Sequence, residues 1–182
     1  MSKTDQQFDQ VTAVCRTLFI KKMKDYGASW RILRQQSVTD QIFIKANRIR
    51  SIEIKGVSKV DEGIRSELIG IVNYGIIGLI QLDLGFSDTD DLHFDTGMEL
   101  YDKFLAEAKD LMMAKNHDYD EAWRSMRIQS FTDLILTKIL RTKQIEDNLG
   151  KTLASEGVDA NYFDMINYAV FGLIKLQETE TI

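Results

Sequence analysis

Apolar residues recur at three- and four-residue spacing through most of the chain, the period of a helix face. Phe8, Val11, Cys15 and Leu18 predict a helix over about 5–24, and Tyr101, Phe104, Ala108 and Leu111 a second over about 98–116. Asp25-Tyr26-Gly27 ends the first, glycine being suited to a C-terminal cap, and a short turn then carries Trp30. Ile42, Ile49 and Ile52 mark a helix that opens at Ser37-Val38-Thr39-Asp40 and runs to about 54. Ile135, Ile145 and Leu149 mark its counterpart, from Ser130-Phe131-Thr132-Asp133 to about 148. Both openings resemble capping boxes, with the serine taking an orphan backbone N–H. Asp40 and Asp133 read as capping residues before metal ligands. Apolar stretches at about 61–82 and 159–178 complete six helices. Between Gly85 and Gly97 the chain is polar and reads as a loop.

These helices occur twice over. Residues 25–53 align with 118–146 at a constant offset of 93, with 14 of 29 positions identical, where average composition would give about two. After one extra residue the match resumes at Asn73-Tyr74 with Asn167-Tyr168, and at Gly78-Leu79-Ile80 with Gly172-Leu173-Ile174. The expected fold is all-α: residues 1–84 form one three-helix repeat, 85–97 a joint and 98–182 a second repeat. Three helices of this size barely close a core, so the copies should pack as one six-helix bundle imitating a homodimer within one chain. Gly70, Gly75 and Gly78 each cost about 1 kcal/mol relative to alanine inside a helix, which close helix contact must offset.

Composition agrees. The 182 residues include no proline, which suits long helices with short links. Cys15 stands alone, so no disulfide framework exists, a reducing compartment is expected, and a small buried hydrophobe is the simpler reading than a nucleophile. Met1-Ser2-Lys3-Thr4-Asp5 lacks the apolar stretch of a signal peptide, and Leu68–Ile80 is too short to span a bilayer. A cytoplasmic location without membrane attachment is expected. The net charge of −5 disfavours non-specific nucleic-acid binding. No phosphate-binding glycine loop, Ser-His-Asp set, dinucleotide fingerprint or His/Cys zinc cluster occurs.

The candidate chemistry lies in polar residues set within apolar arcs. With Asp40 at zero and 100° per residue, Ile42, Ile49 and Ile52 fall at about 200°, 180° and 120°; Lys45 falls at about 140°, Glu53 at about 220° and Arg48 at the edge near 80°. Lys138, Glu146 and Arg141 repeat the pattern. Burying an unpaired charge costs several kcal/mol, so these side chains must be paired, ligand-bound or facing a wet cleft. The third helix offers partners: Asn161-x-x-Asp164-x-x-Asn167 in one copy and Glu67-x-x-Gly70-x-x-Asn73 in the other. Two acids from facing helices plus a carboxamide could hold Mg²⁺, with lysine and arginine neutralising a polyphosphate. Because Gly70 replaces Asp164, the two sites are chemically unequal, or Glu67 and Asp164 meet across the pseudo-axis. A buried salt-bridge network joining the repeats is the alternative. Tyr26, Trp30, Tyr119 and Trp123 could stack on a nucleobase or belong to the core. Asp25 and Asp118 read as turn formers with a ligand role open.

The combination Asp-Tyr-Gly-x-x-Trp-Arg, Thr-Asp, Lys-x-x-Arg, Ile-Glu and a later Asn-Tyr resembles a duplicated bacterial and phage family, nucleotide modification associated domain 1, over about 20–82 and 113–176. A broader similarity is to the MazG-like all-α nucleoside triphosphate pyrophosphatases, which bind Mg²⁺ through acids on two successive helices. Carried onto this sequence, it places Glu53 and Glu146 in the first acid set, and Asp164 with Asn167, or Glu67, in the second. Lys-x-x-Arg occupies the preceding helix face where further acids are usual. The resemblance implies a Mg²⁺-dependent enzyme cleaving a nucleotide to monophosphate and pyrophosphate. Glu146 and Asp164 would then hold metal, Lys138 and Arg141 grip phosphates, and Tyr119 and Trp123 flank the base; Lys45, Arg48, Glu53 and Glu67 would build a second or shared site. A non-catalytic nucleotide-binding or protein-interaction module, monomeric or homodimeric, is the other expectation.

Overall fold

The structure, a computed structural model, describes residues 2–56 and 63–180. Its helices are α1 (Lys3–Tyr26), α2 (Gln35–Lys55), α3 (Ile64–Leu84), α4 (Phe94–Tyr119), α5 (Ile128–Asp147) and α6 (Val158–Glu180). Short 3-10 turns, Ser29–Ile32 and Ala122–Ser125, join α1 to α2 and α4 to α5. No strand occurs among the described residues. Each long element is where the periodicity predicts, but the ends differ. α1 and α4 run longer at both ends, so the joint shrinks to 85–93 and Asp25 and Asp118 lie inside helices rather than in turns. The predicted start of the third helix near 61 falls outside the described residues; its described part begins at Ile64.

The capping-box reading is wrong. Arg34 and Arg127, extended and without side-chain capping bonds, are the N-caps of α2 and α5. Ser37 and Ser130 therefore sit in the first turn, where their own N–H groups donate to the carbonyls of Arg34 and Arg127 at 2.9 and 3.0 Å. Asp40 and Asp133 lie further in and face solvent: Asp40 pairs with Lys143 at 2.8 Å, and Asp133 approaches Arg50 at 3.9 Å. The preceding 3-10 turn, not a serine, launches each helix. The glycine expectation holds, with Gly27 closing α1 at φ 66°. Its counterpart Asp120, with the following Glu121, adopts the left-handed region at φ 48° and 54° without glycine's freedom.

The six helices form one bundle about a pseudo-two-fold axis. Like helices meet across it, α3 with α6, α2 with α5 and α1 with α4, while α2 packs on α3 and α5 on α6 within each repeat. Two reciprocal hydrogen bonds mark the axis: Thr39 Oγ1 donates to Glu146 at 2.7 Å, and Thr132 Oγ1 donates to Glu53 at 2.8 Å.

Glycines let α3 and α6 approach. A Cβ on Gly75 would stand 2.5 Å from Ile166 Cγ1, and one on Gly78 would strike the ring of Tyr162. The other half compensates by size. The positions equivalent to Gly75 and Ile166 carry Ala169 and Val72, and Gly172 meets Leu68 in place of Gly78 and Tyr162. α3 is 21 residues long and apolar enough by length and composition to cross a bilayer, which corrects the expectation drawn from 68–80 alone. In this bundle 72% of its most apolar window is buried against neighbouring helices, and that packing accounts for its composition. Cys15 is fully buried, its Sγ donates to the Val11 carbonyl, and burial pushes its thiol up to about 12, so it behaves as core.

Candidate functional site

Each repeat encloses its own pocket between its three helices, and the two pockets are lined by equivalent residues. The first, about 260 Å³, is lined by Lys22, Tyr26, Trp30, Lys45, Glu67, Gly70, Asn73 and Tyr74 among others. The second, about 530 Å³, is lined by Lys115, Tyr119, Trp123, Lys138, Asp164, Asn167 and Tyr168. The offsets of 93 and 94 map most of one set onto the other, but Gly70 corresponds to Asp164, and Glu67 has its counterpart, Asn161, outside the second pocket.

The 3-10 turn that carries each tryptophan is held from the third helix. Gln81 Nε2 donates to the carbonyls of Arg31 at 3.0 Å and Leu33 at 2.7 Å. At the equivalent position, Lys175 Nζ donates to the carbonyls of Arg124, at 2.8 Å, and Met126. Arg31, itself buried, ties this turn to the joint through Asp91 at 2.9 Å and the Gly85 carbonyl at 2.5 Å. Its guanidinium, first by hydrogen bonding, holds the Asp91 carboxyl below its ordinary value. So anchored, Trp30 and Trp123 are 8% and 5% exposed, and each buried indole Nε1–H lacks a hydrogen-bond partner. Such a donor is costly unless water or a ligand accepts from it.

The tryptophans are not free to stack on a base. Trp123 has Phe171 stacked on one side at 4.3 Å and the Arg124 guanidinium 4.4 Å from its ring centroid. Trp30 packs beside Phe19, which stacks on Tyr101. Each indole lines its pocket as part of the wall, with its Nε1–H buried. The stacking surface belongs instead to Tyr26 and Tyr119, 53% and 71% exposed at the pocket edges.

On the pocket walls the charges are paired within each repeat. Glu67 binds Arg48 and lies 3.6 Å from Lys45. Asp164 binds Lys138 and Lys115, each at 2.7 Å. Burial, the largest single influence, opposes the charge on Lys115, but the hydrogen bond to Asp164 and the negative charges around it together outweigh it and raise its pKa. Glu67 and Asp164 therefore do not meet across the axis; each occupies its own pocket, one helical turn apart in register. In the first repeat the lysine stem of Lys45 fills the space that Gly70 leaves, where an added Cβ would lie 2.7 Å from its Cδ and Cε. Lys22, equivalent to Lys115, has no ion pair among the described residues.

Asn73 and Asn167 are positioned alike, their Nδ2 groups donating to the carbonyls of Cys15 and Ala108 at 3.1 and 3.0 Å. Their acceptors differ. Tyr101 donates to Asn73 Oδ1 at 2.7 Å, while Asn167 Oδ1 is buried without a partner. The residue equivalent to Tyr101 is Phe8, which has no hydroxyl to give.

The predicted acid set does not come together. Glu53 and Glu146 lie at the interface of the repeats, and neither lines either pocket. Burial raises both carboxyl pKa values, with the threonine hydrogen bonds pulling them partly back. No group of three or more His, Cys, Asp or Glu side chains converges among the described residues. Each pocket offers a Glu67 or Asp164 carboxylate already held by two cations, a donor set that does not fit a protein-held Mg²⁺, which wants several free hard oxygens. Arg141, the counterpart of Arg48, lies outside the second pocket, in an adjoining groove. Sequence reasoning overlooked Lys22 and Lys115, Tyr74 and Tyr168 as lining groups, and Gln81 and Lys175 as clamps. The repeat offset would have paired each of them.

The family model for nucleotide modification associated domain 1 matches residues 22–82 and 115–176, one match per repeat and most of the chain. The chain belongs to this family. Both matches begin at the equivalent pocket lysines and end within the helices that carry Asn73 and Asn167, so each covers most of one pocket's lining, Leu18, Phe19 and Met112 lying just before them. Comparison with curated proteins and with solved structures finds no significant match.

Proposed function

We propose that this family member binds nucleotides, with one pocket per repeat. The observation that carries the reading is the pair of equivalent pockets, each lined by two lysines, an asparagine, a buried tryptophan and a solvent-facing tyrosine. A nucleotide suits such a pocket: its base offers a flat face to Tyr26 and Tyr119, and its phosphates offer anionic oxygens to the lysines. The volumes, about 260 and 530 Å³, suit part or all of a nucleotide.

Hydrolysis of the MazG type is a further step that nucleotide binding does not require. It would need acids on the second helix turned toward the third, whereas Glu53 and Glu146 turn toward the other repeat. Mg²⁺, where a ligand carries it, would enter with the phosphates. The competing reading, a charge network that only fixes the helices, accounts for the ion pairs but not for two equivalent pockets each edged by an exposed tyrosine.

The test is a panel of canonical and base-modified nucleoside mono- and triphosphates, with Mg²⁺ or Mn²⁺, read by thermal shift, tryptophan emission and pyrophosphate release. Binding should raise Tm and change the emission, since both tryptophans line the pockets. At a hundredfold excess over Kd the stabilisation is about 2.7 kcal/mol. No shift in Tm or emission with any nucleotide refutes the proposal, and pyrophosphate release extends it to catalysis.

A further inference from the structure

Beside the second pocket lies an outer groove of about 700 Å³, lined by Arg141, Lys151, Thr152 and Ser155 among others. It shares Lys138 and Glu156 with the inner pocket, so the two are contiguous. Their charges differ. The inner pocket sets Lys115 and Lys138 against Asp164 and Glu156, an even balance, with Lys115 bonded to Asp164 and also within the field of Glu156. In the outer groove Arg141 and Lys151 have no ion pair among the described residues.

A paired substitution between the repeats explains why. In the first repeat, Arg48 is taken by Glu67. In the second, the place of Glu67 holds Asn161, which lines the groove without charge, and the acid sits one turn along α6 at Asp164. Moving the carboxylate neutralises the inner lysines and leaves Arg141, the equivalent of Arg48, uncommitted. A neutral cavity suits a base and sugar. A guanidinium with a nearby ammonium and hydroxyls suits phosphate, which arginine takes in bidentate fashion.

We infer that the second repeat holds its ligand in two parts, with base and sugar in the inner pocket and a polyphosphate chain running past Lys138 into the groove of Arg141 and Lys151. This rests on the nucleotide reading above and adds the class of ligand, a nucleoside polyphosphate in preference to a nucleoside or monophosphate. The first repeat lacks this arrangement because Glu67 occupies Arg48.

Calorimetry with three probes tests it: inorganic tripolyphosphate, deoxynucleosides and deoxynucleoside triphosphates. Arg141 and Lys151 are exposed, so the double variant Arg141→Ala/Lys151→Ala leaves the core untouched. Tripolyphosphate and triphosphate affinities should fall by about tenfold or more in that variant, with a shallower salt dependence, while nucleoside affinity holds. Lys21→Ala, an exposed lysine outside both pockets and the groove, should leave tripolyphosphate binding unchanged. Triphosphates binding the double variant as tightly as the wild type would overturn the groove assignment while leaving the nucleotide reading intact, as would an equal loss of tripolyphosphate binding in Lys21→Ala. Tripolyphosphate lost in the double variant, with no nucleoside or nucleotide preferred over it, would keep the anion groove and overturn the nucleotide reading. A wild type that binds none of the probes overturns both.

Discussion

Gly78→Ala gives the sharpest test of how the repeats fit together. The new methyl would lie 2.9 Å from both Cδ1 and Cζ of Tyr162, and closer still to Cε1. The ring has nowhere to retreat: Tyr162 is fully buried, and its hydroxyl shares a 2.6 Å hydrogen bond with Thr39, which in turn donates to Glu146. Moving the ring therefore breaks the chain of bonds that joins α2, α5 and α6. Overpacking of this kind costs about 1–3 kcal/mol and loss of the hydroxyl bond about 1 more, against about 1 regained from alanine's helix propensity. The expected net loss is about 1–3 kcal/mol. The symmetry-related substitution is the control. At Gly172 the added methyl meets a terminal methyl of Leu68 at 3.1 Å, and leucine can adjust by a few tenths of an ångström. Gly172→Ala should then change stability by less than about 1 kcal/mol. Urea unfolding of Gly78→Ala, Tyr162→Leu and the double variant measures the coupling directly. Leucine is what the other half uses, so the double variant should lose about 1–3 kcal/mol less than the sum of the singles. A neutral Gly78→Ala, or strictly additive variants, would refute the claim that a glycine–tyrosine fit sets the α3–α6 spacing.

Other expectations follow from single positions. Because burial raises the carboxyl pKa of Glu146, the folded state holds that proton more tightly than the unfolded chain; its penalty is absent well below the unfolded value and grows as pH rises through the folded one. Glu146→Gln keeps an acceptor for Thr39 and should match or exceed wild-type stability at pH 7 by up to about 1 kcal/mol, with the advantage shrinking toward pH 5 in paired denaturation curves. A pH-independent loss would contradict this. Phe8→Tyr restores the hydroxyl found at the equivalent Tyr101 and should satisfy Asn167 Oδ1, raising stability by about 0.5–1.5 kcal/mol in thermal melts. A lower Tm would show that the two asparagines are not equivalently approached.

The hydrophobic period, the absence of proline and the 93-residue offset together determined six helices, their pairing into repeats and an axis relating them. These are properties of local spacing and of self-similarity, and a linear sequence states both. The same spacing placed Lys45, Glu53, Lys138 and Glu146 correctly in or beside the apolar arcs, yet a helical wheel cannot say which neighbour a buried face meets. Only packing decided that Glu53 and Glu146 turn to threonines of the opposite repeat, while Lys45 and Lys138 turn to Glu67 and Asp164 of their own. The helix starts were misread for a related reason: the serine pattern was present, but a 3-10 turn clamped from a distant helix by Gln81 or Lys175 set the first residue instead. Hydrogen bonds and ion pairs are satisfied in three dimensions, often between residues far apart in the chain. Periodicity therefore named the buried charges, and tertiary structure alone chose their partners and left two indoles and one carboxamide without one.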